Sequence, residues 1–433
     1  MNALADVTEE KHIGKYRVIE KLGAGSTGHV YRAHDPFRNI DVAIKLFDPR
    51  AFEASGDELT RSGFFAEAAL LGKLNHPHVV QVFDAATGPT DYYIVSEFVT
   101  GGTLEDFTSQ GRLMDLEPAL DVIFKCLRAL QYLHANGVIH RDIKPENVFV
   151  GDGTDVKLGD FGAATVAGLT HSQAVMMGSP FYMSPQRLEG AEADMQSDIF
   201  ALGVLFYQLL TGKRPFDSNS IPALVYQMQS VTPPAASTLR RDVPPAIDTI
   251  ISRALAPALA ARYQNWDAFA DDLARLFRTT DDKVRRESLV TASGRFEVLR
   301  RIPFFAAFSA VELWEIVGAS EFRLTREGEI LLREGETGDD FFLLIEGNVR
   351  ITKAGKPIDL VQPYSTLGEI AYILKGAAPR NASATAIDDG LLVRIANAEM
   401  VMLSASCRGK LEQRFLEILA TRLIDVNRRL SHV

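Results

Sequence analysis

Short runs of alternating apolar and polar residues, YRVIEKLG, HVYRAHD and DVAIKLF, occupy the chain from Ile13 to about Asp91. A period of two turns one face of each run toward a core and predicts antiparallel strands. One segment with helical spacing, GFFAEAALLGKL, interrupts them. From Leu116 to about Phe277 the spacing becomes helical, in LEPALDVIFKCLRALQYLHANG, SDIFALGVLFYQLLTG, PPAIDTIISRAL and NWDAFADDLARLF, with Gly137 and Gly212 as stops. TTDDKVRRESLVTASG has no apolar periodicity and reads as a linker. An amphipathic helical stretch, IPFFAAFSAVELWEIVGAS, follows. Next come the strand-like runs FRL, EILLRE, DFFLLIEG, NVRITK, IDLVQ and LLVRI, and then a long helix, CRGKLEQRFLEILATRLIDVNRRL. The pattern predicts an α+β protein: a flexible N-terminus over 1–12, a first domain over 13–278, a linker over 279–295, and a second domain over 296–433. Many short strands between helices make that second domain a small β-barrel or jelly roll with helical flanks.

Bulk properties narrow the setting. The 433 residues exceed one ordinary core, and 46% hydrophobic with 24% charged residues describes a globular chain. A net charge of -10 disfavours nucleic acid and anionic membranes as partners. Two cysteines, Cys126 and Cys407, form no disulfide framework and suit a reducing cytoplasm. MNALADVTEEK has no apolar signal core, and no stretch approaches the roughly 20 apolar residues of a membrane span. In the cytoplasm, Asn381-Ala382-Ser383 is an ordinary tripeptide rather than a glycosylation site.

Five ordered motifs carry chemistry in the first domain. Leu22-Gly23-Ala24-Gly25-Ser26-Thr27-Gly28-His29-Val30 is a glycine-rich turn flanked by strands on both sides, a flap whose backbone can approach phosphates. Val42-Ala43-Ile44-Lys45 puts a cation on a strand, and Glu67 follows in a helix. His140-Arg141-Asp142-Ile143-Lys144-Pro145-Glu146-Asn147 supplies a carboxylate, a lysine and a metal-ligating amide within one loop. Asp160-Phe161-Gly162 adds another carboxylate. Phosphoryl transfer asks mainly for charge neutralisation and alignment, and these groups provide both. The series resembles the eukaryotic-type, bacterial-like Ser/Thr protein kinase family, which implies a two-lobed kinase fold using ATP and Mg2+ on protein substrates. By that resemblance Lys45 grips the phosphates and Glu67 anchors it. Asp142 takes the hydroxyl proton, Lys144 faces the γ-phosphate, and Asn147 and Asp160 hold the metal. The resemblance further assigns Leu22, Gly23, Gly25, Gly28, Val30, Ala43 and Lys45 to ATP, with Ser96 as a small gatekeeper and Glu97 to Val99 as the hinge. His140 and Phe161 read as packing beneath the site. Arg141 marks kinases whose activation segment is ordered by phosphorylation, with Thr165, Thr170, Ser172 and Ser179 as candidate phosphosites. One departure is Ser184-Pro185-Gln186 where the family has Ala-Pro-Glu. A neutral Gln186 is expected to anchor Arg262 more weakly than glutamate does.

The second domain contains GEIAYILKGAAPRNASATA. Glu369 and Arg380 sit among small residues, with Gly368 before the glutamate, and this makes a pocket for a compact anion. The stretch resembles the phosphate-binding cassette of cyclic-nucleotide-binding domains, the family of the cyclic-AMP-dependent kinase regulatory subunit and the catabolite activator. That resemblance gives Glu369 the ribose 2′-hydroxyl and Arg380 the cyclic phosphate. Asn381, beside the arginine, leaves cAMP and cGMP both open.

Arg285-Arg286-Glu287-Ser288-Leu289 in the linker has the form of a basic-directed kinase substrate, which makes Ser288 a further candidate phosphosite. Ligand binding is expected to move the helical flanks of the barrel and release the kinase. Two rivals stand beside this reading: a barrel that serves only docking or dimerisation, and a pseudokinase scaffold. Substrates, sign of regulation and oligomeric state are not written in the residues.

Overall fold

The computed structural model describes residues 12–25, 28–47, 71–87, 92–109, 111–151, 155–160, 165–166, 179–276, 291–373 and 379–430. It divides into two compact units, Met1–Leu276 and Phe277–Val433. The first opens with β1 (His12–Ile13), β2 (Tyr16–Gly25), β3 (Gly28–Asp35), β4 (Ile40–Phe47), β5 (Val82–Thr87) and β6 (Tyr92–Glu97). They form one antiparallel sheet in the order β1-β2-β3-β4-β6-β5. Alternation on β4 sends Val42 and Ile44 into a core with Tyr16, Tyr31, Ala33 and Val95, and turns Ala43 and Lys45 to the other face. Each such buried aliphatic contributes roughly 1.5–3 kcal/mol, so a charge at Ile44 would break the sheet's packing. The helical run GFFAEAALLGKL, with Glu67, lies outside the described residues except for its last few positions.

Below the sheet are α1 (Leu116–Ala135), α2 (Met195–Thr211), α3 (Ile221–Ser230), α4 (Pro245–Ala254) and α5 (Trp266–Leu276). α2 is buried along almost its whole length, because it is apolar on every face and other helices pack around it. Asp194 and Ser197 form a capping box at its start, and Gly212, at φ +69°, ends it in the left-handed conformation. Four short strands frame the connecting loops. β7 (Val138–Ile139) pairs with β10 (Thr165–Val166), and β8 (Val148–Val150) pairs with β9 (Val156–Leu158).

The second unit begins with α6 (Ala292–Arg300) and α7 (Ala310–Gly318). α6 starts inside the segment expected to be linker, because the Thr291 hydroxyl accepts the Gly294 N–H and caps a new helix. The single helix expected over 302–320 is broken instead into a 3-10 turn at Pro303–Phe305 and α7. Pro303 opens the turn, and the Ser309/Glu312 capping box starts α7 afresh. Next come β11 (Glu321–Thr325), β12 (Ile330–Leu332), β13 (Phe341–Glu346), β14 (Val349–Lys353), β15 (Lys356–Val361), β16 (Thr366–Leu367), β17 (Ser383–Ala386) and β18 (Gly390–Ile395). They make two four-stranded sheets, β11-β18-β13-β16 and β12-β17-β14-β15, around Phe342, Leu344, Val349, Leu367, Ala384 and Leu392. This is the sheet-rich fold with helical flanks that the alternating runs predict. A short helix, α8 (Glu369–Ile373), interrupts the strands, and α9 (Ala405–Leu430) follows them. Among the described residues, no helix is long and apolar enough to cross a membrane.

Candidate functional site

Lys45 occupies the half-buried face of β4, opposite Val30 on β3, and its ammonium pairs with the carboxylate of Asp160. Asp160 has φ +55°, a left-handed backbone that is strained for a residue other than glycine and that aims its side chain upward at the lysine. The expected Lys45–Glu67 pair cannot be described, since Glu67 lies outside the described residues. Gly28 and Gly23 differ in kind. A Cβ on Gly28 would stand 2.0 Å from the Leu46 carbonyl oxygen, so that glycine is required by the close approach of β3 to β4. A Cβ on Gly23 would meet nothing within 4 Å, and its smallness leaves open space over the cleft. Leu22 is exposed and Ala43 half-buried on the same sheet, and Gly25 closes β2 opposite Gly28.

Ser96 pairs with Ala43 across β6 and β4, and Val99 follows, half-buried. Glu97, the first residue of the expected hinge, is tied to its neighbours through its N–H and its carboxylate. Its N–H donates to the Gln81 carbonyl at 2.8 Å, and its carboxylate accepts from Lys157 at 2.9 Å.

The loop between β7 and β8 carries the densest polar chemistry. Lys144 Nζ lies 2.9 Å from Asp142 Oδ2, and Asn147 Nδ2 donates to the Asp142 carbonyl at 2.7 Å and to its carboxylate at 2.8 Å. Burial works against the charge on Lys144, but the hydrogen bond and charge of Asp142, with Glu146 and Asp160, outweigh it and raise the lysine above its ordinary value. Both amide hydrogens of Asn147 therefore turn to Asp142, leaving its oxygen for a cation. The Gly159 N–H donates to the Asn147 carbonyl at 3.0 Å, which brings Asp160 beside it. An amide oxygen and a carboxylate are the hard donors that Mg2+ takes alongside phosphate oxygens, so the residues present fit that ion. The loop is tied from beneath. Buried Asp198 accepts the N–H groups of His140 and Arg141, each at 2.9 Å, and Arg141 is held at φ +68°. The His140 ring is fully buried with Nε2 at 3.1 Å from the Gly159 carbonyl, a packing role as expected.

Ser179 is half-buried at the head of a 3-10 turn, Pro180–Tyr182, and the backbone of Thr165 pairs with Ile139 in β7. Thr170, Ser172, Phe161 and Ser288 lie outside the described residues. Gln186 accepts from Arg262 Nη2 at 3.2 Å, the single bond expected. Its Nε2 also donates to the Pro257 carbonyl at 2.7 Å, a bond that sequence reasoning missed and that glutamate cannot make. Arg262 is otherwise met by the carbonyls of Ala256 and Gln196, and burial pushes it down to about 10.

In the second unit Arg380 is 8% exposed, and its guanidinium donates to the carbonyls of Gly368 at 3.1 Å and Asp340 at 2.8 Å. Gly368, at φ +81°, makes this possible, since a Cβ there would stand 2.6 Å from Arg380 Nη1. Arg380 forms no ion pair with a described residue. Burial lowers it from its ordinary value against the pull of Asp340, Asp339 and Glu369. Glu369 is buried at the start of α8, close enough to be felt by the arginine. Asp340 is fixed in turn by Arg394, which donates to its carboxylate at 2.9 and 2.7 Å. Neither Asp340 nor Arg394 was singled out in the sequence; an Asp in a turn and an Arg on a strand carry no local signal. Asn381 is exposed, and the strand that follows it, β17, was not foreseen.

A strand-borne cation facing a carboxylate, above a loop of aspartate, lysine and asparagine, defines a two-lobed protein kinase. The chain belongs to that family: residues 16–271 match the protein kinase domain, and residues 322–406 match the cyclic nucleotide-binding domain. It is 31% identical to the serine/threonine-protein kinase PrkC of Bacillus subtilis over 320 residues, 73% of this chain and 48% of that one. It is 34% identical over 280 residues to the probable serine/threonine-protein kinase PknB of Lactococcus lactis, 64% of this chain and 44% of that one. Over 262 residues it is 36% identical to the serine/threonine-protein kinase PknL of Mycobacterium tuberculosis, 60% of this chain and 65% of that one. The chain spans about half to two thirds of the length of these curated relatives. It thus joins a bacterial-type Ser/Thr kinase domain to a cyclic nucleotide-binding domain.

Proposed function

We propose that this chain is an ATP-dependent protein Ser/Thr kinase whose activity responds to a cyclic nucleotide in its second unit. The observation that carries the first half is the Asp142, Lys144 and Asn147 cluster beneath the Lys45–Asp160 pair. Asp142 orients the substrate hydroxyl and accepts its proton as the oxygen attacks the γ-phosphorus. The bond to the β-γ bridging oxygen breaks, and ADP departs. Lys144 balances charge on the transferred group, and Lys45 holds the α- and β-phosphates. Asn147 and Asp160 would hold Mg2+, which when bound supplies charge neutralisation at the phosphates. The two cysteines, both free and buried, are in keeping with a reducing cytoplasm.

Arg380 supports the second half: a buried guanidinium held by two carbonyls and paired to no described carboxylate is preorganised for a compact anion. In this reading it takes the cyclic phosphate, and Glu369 takes the ribose 2′-hydroxyl. Regulation then requires the nucleotide to favour one kinase state over another.

The test is autophosphorylation with Mg-ATP, with and without cAMP or cGMP. Asp142→Asn should lower the rate by roughly a hundredfold or more. Arg380→Leu should weaken nucleotide binding by about tenfold to a hundredfold, the value of one charged hydrogen bond. A wild-type chain that transfers no phosphate would leave the scaffold reading. One that binds neither nucleotide would leave the barrel as a docking module.

A further inference from the structure

At the end of α2 the chain turns through Gly212 into Lys213 and Arg214, and this corner is pinned. The Thr211 hydroxyl donates to the Tyr207 carbonyl at 2.8 Å and accepts the Lys213 N–H at 3.2 Å. Beyond it Phe216 is buried against Phe200, and the Asp217 N–H donates to Gln227 Oε1 on α3 at 3.1 Å. From that corner the Arg214 guanidinium lies over the Phe181 ring, 3.7 Å from its centre. Phe181 sits in the 3-10 turn that follows Ser179. The same turn is tied to α2 a second time, because the buried Tyr182 hydroxyl donates to Gln208 Oε1 at 2.5 Å. Arg214 Nη2 donates to exposed Asp217 at 2.8 Å, while its Nε and Nη1 bond to no described residue.

We propose that Arg214 is a specificity-determining residue of the kinase, selecting protein substrates that carry a carboxylate side chain near the hydroxyl to be phosphorylated. This rests on the kinase reading above and names the class of substrate for the same site.

A guanidinium held by its face and open at its edge is already oriented for a carboxylate, and little rotamer freedom is left to lose on binding one. Its setting decides which part of a substrate it reads. Burial, then Glu146, raises the Tyr182 hydroxyl above its ordinary value, Arg214 pulls it back, and Glu105 adds to the rise. Tyr182 is therefore within electrostatic reach of both Arg214 and the loop that holds Asp142 and Lys144, whose own ammonium feels Glu146. Glu105 and Asp106 lie in the 3-10 turn Leu104–Phe107, which begins beside β8 through the Thr103–Phe149 bridge. The loop is thus rimmed by carboxylates, and Arg214 is a cation beside the turn after Ser179. An acidic side chain near Glu146 or Glu105 meets like charge, and near Arg214 it meets the opposite one. Salt at about 0.15 M screens exposed charges beyond about 8 Å, so the preference is confined to the few substrate positions that pass Arg214. The Asp217 pair is exposed, so it competes only weakly for the guanidinium.

In the test, the full chain with Mg-ATP is given peptides that differ in a single residue, Glu, Gln or Lys, at each position flanking one serine. The readout is the ratio of kcat/KM for the Glu peptide to that for the Gln peptide. Wild type should favour Glu by about threefold or more at one or two neighbouring positions, and should lose the preference as salt rises toward about 1 M. Arg214→Met keeps an apolar stem over Phe181 and should bring the ratio to about one at those positions. Arg214→Glu should invert it, so that the Lys peptide becomes the favoured one there. A merely structural role for the arginine would slow all peptides alike and leave the ratio unmoved. A wild-type chain that phosphorylates the peptides with no acid preference, or with one that high salt leaves intact, overturns the proposal before any variant is made. So does a folded Arg214→Met protein with wild-type ratios. A chain that phosphorylates itself and none of the peptides also overturns it. Transfer to neither would sink the kinase reading, and this proposal with it.

Discussion

Gln186 shows how one atom changes the meaning of a substitution. Replacing a family glutamate by its amide looks like the loss of a charge-assisted bond to Arg262. The folded chain uses the amide at both ends, accepting from Arg262 and donating to the Pro257 carbonyl at 2.7 Å. Two modest hydrogen bonds at a half-buried site predict that Gln186→Ala lowers stability by about 1–2 kcal/mol in urea titrations. Gln186→Glu should lower it by less: it gains charge against Arg262 but sets a carboxylate oxygen against the Pro257 carbonyl. Equal stability of the alanine variant and the wild type would show that the anchor is held by Arg262 and its carbonyls alone. The Asp142, Lys144, Asn147, Lys45 and Asp160 constellation was legible at this scale because each residue sits in a local motif of fixed order. Asp198, Asp340 and Arg394 were not, because their roles depend on partners distant in sequence.

Between elements, the second unit is tied together by aromatic rings. Tyr372 of α8 lies 5.4 Å from Phe341 of β13 and 5.7 Å from Phe415 of α9, and Phe341 and Phe415 are 4.7 Å apart. α8 carries Glu369 at its start, so this triad links the proposed nucleotide site to the last helix by direct ring contacts. Glu312 of α7 adds a polar tie, accepting from Ser406 at 2.8 Å and Lys410 at 2.7 Å on α9. Tyr372→Leu keeps apolar volume but removes the ring contacts, and should cost about 0.5–1.5 kcal/mol of stability. It should also reduce the change that cAMP or cGMP produces in hydrogen exchange along Ala405–Leu430. An exchange response equal to that of wild type would place the route elsewhere. The long helices were legible from their periodicity, whereas Ile221–Ser230 and Ala292–Arg300 were not. The break at Pro303 and the cap at Ser309 were misread as one helix because the apolar spacing runs through both.

At the scale of the whole molecule, buried histidines set the response to acid. His76 and His78 are each 3% exposed; burial pushes His76 down to about 3 and His78 well below its ordinary value. Neutral in the folded chain, both take up protons in the unfolded chain below about 6.5. Their contribution is complete above that pH and is lost as pH falls toward the folded values. Between pH 7 and pH 5 the first unit should lose roughly 2 kcal/mol through His76, at 1.36 kcal/mol per unit below 6.5, with a further loss of the same sign from His78. Urea unfolding at the two pH values should show the loss, and His76→Gln should remove the part that His76 contributes. A wild-type protein whose midpoint is flat over this range would exclude the histidines as its acid switch.

The sequence by itself determined the two fold types, most of the strands and long helices, and the local motifs that supply the candidate groups of each unit. Periodicity and short motifs are local properties, and a kinase loop or an anion cassette keeps its chemistry within a few residues. Tertiary structure alone decided how those groups are held. Lys45 meets Asp160 across 115 positions, Arg380 is oriented by a carbonyl 40 positions away, and Trp266 reaches His134 across 132. Such pairings are chosen by burial, which makes every unmet donor or acceptor costly. That cost has no signature along the chain until the chain has folded.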